Sequence, residues 1–155
     1  MKAARPIRSK LLALAFLLFA SAAAAEDGAL ETVTVVTGTG RHKFQSEIAA
    51  TATERAKGLM FRTRLAPGHA MLFDFGEERQ IAMWMRNTHV ALDMVFIART
   101  GQVVAIAENT VPLSIAIISP ALPAYAVLEV NAGTAARIGL AAGDQVEHRI
   151  FAPER

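Results

Sequence analysis

The sequence predicts a mainly β fold, a sandwich or jelly-roll-like barrel of about seven to eight short strands with two small helices. Three observations carry that reading. Short apolar and β-branched runs recur after residue 30, turn-forming Gly, Pro, Asn and Asp residues separate them, and only two segments space their apolar residues as a helix does.

The chain begins with Lys2, Arg5, Arg8 and Lys10 and no acid, followed by an unbroken apolar run from Leu11 to Ala20. Ser21 and the alanines after it place small residues where signal peptidase inspects, so residues 1–25 read as a cleavable secretory signal ending ahead of Glu26. The apolar stretch is shorter than the ~20 residues that span a bilayer. The expected product is a single domain, residues 26–155, exported to the periplasm or beyond the cell, with no membrane contact after cleavage. Four of the sixteen Lys and Arg residues and none of the fourteen acids lie in the signal, which leaves a net charge of −2. The basic pI belongs to the precursor, and nucleic acid is not an expected partner. No cysteine is present, so the domain relies on its core rather than on disulfides.

Within the domain, Leu30 to Thr37 and His42 to Ile48 are β-forming runs joined by the turn residues Thr37-Gly-Thr-Gly40, the pattern of a hairpin. Thr51 stands three residues before Glu54 and opens a short helix through a capping box. Leu65-Ala-Pro-Gly68 is a turn, and strands are expected at 70–75, 81–85, 92–98 and 103–107. Residues 111–124 hold three prolines and no clean period, so they are expected to be irregular. A strand at 125–130, a short helix at 133–140 and a final strand at 146–151 complete the chain.

Six separated blocks carry a resemblance: Glu54-Arg55 to Gly58-Leu59-Met60-Phe61-Arg62; Met71-Leu-Phe73 with Phe75; Trp84-Met85-Arg86-Asn87-Thr88; Leu92-Asp93-Met-Val-Phe96; Val127-Leu-Glu129-Val-Asn131-Ala-Gly133-Thr134; and Gly143-Asp144. In order and spacing they are similar to the domain of unknown function 192 family. The resemblance implies a small, predominantly β domain, often made behind a signal peptide, with no established activity.

Charges embedded in apolar runs are the informative polar residues, because an unpaired buried charge costs several kcal/mol. Asp93 and Glu129 are such charges, with arginines 55, 62 and 86 as possible partners. Each carboxylate belongs either to a buried ion pair that fixes strand register or to a ligand site. Asn87 is placed at a loop mouth or in a turn that caps its own backbone. Trp84, with Phe61, Phe73, Phe75 and Phe96, lines either an aromatic pocket or the core. His42, His69, His89 and His148 lack metal-ligand spacing, the serines lack a nucleophile-elbow context, and no cofactor is expected.

Two functions are consistent with these residues. The first is a noncatalytic small-ligand-binding or accessory module whose polar cleft is framed by Arg62, Trp84, Asn87, Asp93 and Glu129, with a small molecule or an extracytoplasmic polymer as partner. The alternative is an extracytoplasmic hydrolase or lyase that uses Asp93 and Glu129 as its acid and base.

Overall fold

The structure, a computed structural model, describes residues 29–151; the signal expected at residues 1–25 lies outside them. Seven strands form one sheet: β1 (Glu31–Thr37), β2 (Gly40–Ala49), β3 (His69–Arg79), β4 (Leu92–Ile97), β5 (Val103–Ala107), β6 (Ala124–Asn131) and β7 (Gln145–Glu147). Two helices, α1 (Ala52–Lys57) and α2 (Thr134–Ile138), and a 3-10 turn at Arg149–Phe151 complete the described chain. The strand order is β5-β4-β6-β3-β2-β1-β7, curled into a half-barrel. All pairs are antiparallel except β2–β3, which are parallel and linked through α1.

The β1–β2 hairpin turns at the predicted Gly and Thr residues, pairing Thr37 with Gly40. Helix α1 starts on the predicted capping box: Thr51 Oγ1 accepts from the Glu54 amide (3.2 Å), and Glu54 Oε2 accepts from the Thr51 amide (2.8 Å). It ends at Lys57, where Gly58 adopts φ +45° and takes the chain out of the helix. A Cβ on Gly58 would come within 3.0 Å of the Phe73 ring, so that close approach needs glycine. The run at 81–85 is not a strand; only Met83 bridges, to Ile118. The final strand is cut to three residues, and a 3-10 turn takes the rest of the predicted run.

Both faces of the sheet are covered. One face packs Val33, Val35, Leu72, Val95, Leu128 and Val146 beneath α2, whose Ala135 and Ile138 are buried there. The other packs Met71, Phe73, Met94, Phe96 and Val127 beneath Leu59, Ile81 and Met85. Covering both faces explains why β4 and β6 read as continuous apolar runs rather than as alternating ones. The outer strands meet through one bridge, Gln102 to Gln145, reinforced where the Val103 amide donates to Asp144 O (2.8 Å) and the Val146 amide to Gly101 O (2.7 Å).

Candidate functional site: the Glu129 cleft

Glu129 sits in the middle of β6, with Met71 of β3 and Met94 of β4 directly opposite it on either side. Cross-strand partners share a face, so the carboxyl lies in a row between two thioether side chains. The residue is 4% exposed and accepts no hydrogen bond from any described residue. Burial alone pushes its pKa up to about 8, so the carboxyl is protonated at neutral pH.

It opens on a cleft of about 190 Å³. The last turn of α1 supplies Arg55 and Lys57, the following turn supplies Leu59 and Met60, β3 supplies Phe73 and Phe75, and the segment after β3 supplies Met83, Trp84 and Thr88. Arg55 is held by backbone carbonyls: it donates to Ala50 O and Asp74 O (2.7 Å to the latter) and lies 5.2 Å from the centre of the Phe75 ring. Arg79 approaches the same ring at 5.0 Å, so two guanidiniums fix Phe75 at the cleft wall. Trp84 remains 46% exposed at the mouth.

Of the residues expected to frame one polar cleft, the structure brings together Trp84 and Glu129. Asn87 stands close by: it adopts φ +57°, its carbonyl accepts from the Phe61 amide (2.8 Å), and its side-chain amide reaches the Met60 sulfur at 3.8 Å. Arg62 is turned away onto Glu47, with a 2.6 Å contact in a forked pair.

Asp93 corrects the expectation of a shared site, because it points through the opposite face of the sheet. Its Oδ1 accepts from the amides of Asn109 (2.8 Å) and Gly133 (3.2 Å), and its Oδ2 from the amide of Ala135 (2.8 Å). It therefore caps α2, whose own N-cap Gly133 has no side chain to do so. Among the described residues neither Asp93 nor Glu129 is paired with an arginine, so an ion pair that fixes register is not what holds either carboxyl there.

Of the aromatic candidates, Phe73 and Phe75 line the cleft, Phe96 is core, and Phe61 projects into solvent. Met60 and Met83 are not among the residues the sequence singles out to frame the cleft. The signal was available: all five methionines after residue 1 fall in the cleft or the apolar cluster beneath it.

The sequence profile of DUF192, described as uncharacterized ACR, matches residues 33–148. The chain belongs to the DUF192 family. Two solved structures are similar to this chain in fold and in much of the sequence. One is a protein of unknown function from Novosphingobium aromaticivorans, 44% identical, with a TM-score of 0.75 over 77% of this chain and 85% of that one. The other is a candidate transcription regulator from Sinorhizobium meliloti, 48% identical, with a TM-score of 0.74 over 77% of this chain and 93% of that one. No curated protein matches the sequence.

Proposed function

We propose that this DUF192 chain is an exported, noncatalytic module that binds a small ligand in the cleft between Trp84 and Glu129. The observation that carries the reading is the Glu129 carboxyl, buried in an interior strand, without a hydrogen-bond partner among the described residues, and opening on a cleft with aromatic and thioether walls. A fold rarely keeps a polar group in that state unless the group has a use. Export rests on the basic, apolar and small-residue order of residues 1–25.

Acid–base catalysis by Asp93 and Glu129 is not supported by this geometry. The two carboxyls face opposite sides of the sheet, and Asp93 is occupied by three backbone amides. Glu129 is the sole acid among the cleft residues, and no histidine joins it. Binding needs no second proton carrier.

Trp84 is the only tryptophan in the chain, so its emission reports directly on the cleft. A screen of small amines, alcohols, carboxylates and saccharides followed by that emission should yield saturable binders whose affinity drops at least tenfold in Glu129→Gln. A screen without any saturable binder would sink the reading. Export is tested separately by mass spectrometry of the protein from its producing cell, which should show an N-terminus near Glu26; an intact Met1 would overturn it.

A further inference from the structure

We infer that the ligand of the Glu129 cleft is a small organic cation, an ammonium or guanidinium carried on an apolar or aromatic body. This inference rests on the binding reading above and names the ligand class for the same site.

The argument starts from what the protein withholds from Glu129. The side chains facing it from the neighbouring strands are Met71 and Met94, neither of which can donate a proton or a charge. Arg55 is spent on two backbone carbonyls and on the Phe75 ring, and Arg62 is on Glu47. Lys57 lines the cleft from the exposed end of α1 but makes no ion pair with Glu129, and Arg86 is exposed. The protein therefore supplies cations around the cleft but delivers none to its carboxyl. A charge-assisted hydrogen bond is roughly twice as strong as a neutral one, so a ligand cation is the most effective group to fill that position.

The walls fit the same ligand. The ring of Trp84, 46% exposed at the mouth, offers an electron-rich face, and the sulfurs of Met60 and Met83 are polarizable, both of which favour a positive charge over a negative one. The 190 Å³ volume is below the ~300 Å³ lower end of common ligand pockets, so it suits a head group, with the rest of the ligand in the open mouth at Trp84.

Binding then moves one proton. The protonated Glu129 carboxyl gives its proton to solvent, and the resulting carboxylate pairs with the incoming cation; no covalent bond is made or broken. The test is calorimetry at pH 7 in two buffers of different ionisation enthalpy, with 2-phenylethylamine and its neutral isostere 2-phenylethanol, alongside Trp84 emission. The amine should bind at least tenfold more tightly than the alcohol, release close to one proton, and lose that advantage in Glu129→Gln. Proton release by the unaltered protein reads out the same step without any variant. Equal or tighter binding of the alcohol, with no proton release, would overturn the cation class and leave the binding reading intact. Saturable binding of Ag⁺ with no binding of amines would overturn it in favour of a thioether metal site. Silence from amines, alcohols, anions and Ag⁺ alike would remove the binding reading itself.

Discussion

Asp93 and Glu129 are one register step apart across the β4–β6 pair and face opposite sides of the sheet: Met94 pairs with Glu129, whereas Asp93 pairs with Val130. The strand period of two separates them, so two carboxyls that look equivalent in sequence have different work. One secures a helix, and the other opens on a cleft. Their substitutions should therefore diverge.

Asp93→Asn should destabilise the fold by about 3 kcal/mol, because the carboxylate accepts from three buried or half-buried amides and the asparagine NH2 would confront at least one of them donor to donor. Urea melts at pH 7 measure this. A loss below about 0.5 kcal/mol would remove the capping role.

Glu129→Gln should leave stability near that of the parent at pH 5 and raise it relative to the parent at pH 9. The folded chain keeps the Glu129 proton up to about pH 8, whereas an unfolded carboxyl releases it near 4.5. The parent's stability from this group is thus full below pH 4.5, falls by about 1.4 kcal/mol per unit as pH rises, and levels off above 8. Paired melts at pH 5, 7 and 9 show the effect as a widening gap. Parallel pH profiles for the two proteins would mean that the carboxyl is hydrated or paired in solution.

Acid should loosen the junction between β1 and the C-terminal 3-10 turn. Glu31 accepts from Arg149 (2.6 and 2.7 Å) and contacts His148 Nε2 (3.0 Å), and Arg149 above all holds its pKa down at about 2. Stability from this carboxylate is complete above pH 4.5 and is lost as pH falls toward 2. Burial lowers the His148 pKa, which adds a loss in the same direction as pH falls through 6.5. Thermal melts from pH 7 to pH 3 should decline less steeply in Glu31→Gln than in the parent, and an identical slope would exclude the contribution.

Gly101→Ala should cost about 2 kcal/mol or more. Gly101 has φ +84°, and an added Cβ would sit 2.5 Å from Val146 O and closer still to the Gln145 side chain. Hydrogen exchange should then show faster opening of the Val103 and Val146 amides while β6 amides stay protected. Uniform loss of protection across the sheet would show that the junction does not open as a local unit.

Much of the fold was legible because its signals are local. The Gly38-Thr39 turn, the Thr51–Glu54 capping box and the apolar runs of β4 and β6 each specify their structure within a few residues. The run at 81–85 misled because its apolar residues divide between roles: Ile81 and Met85 are core, whereas Trp84 faces the cleft mouth. The site was half legible. An acid among apolar residues flagged both Asp93 and Glu129, but which face each takes depends on strand register, and register is set by pairing partners far away in sequence. The methionines were hidden for a related reason, since a thioether inside an apolar run looks like ordinary core until a polar neighbour is placed beside it.

The contact between β5 and β7 has a further consequence. An outer strand of an open sheet offers a row of amide and carbonyl groups to any passing chain, a template for edge-to-edge association and for fibrils. Here the Gln102–Gln145 bridge and the flanking bonds at Gly101, Val103, Gly143 and Asp144 turn those groups toward one another. The two ends of the sheet protect each other, so opening this junction would expose both self-association surfaces at once.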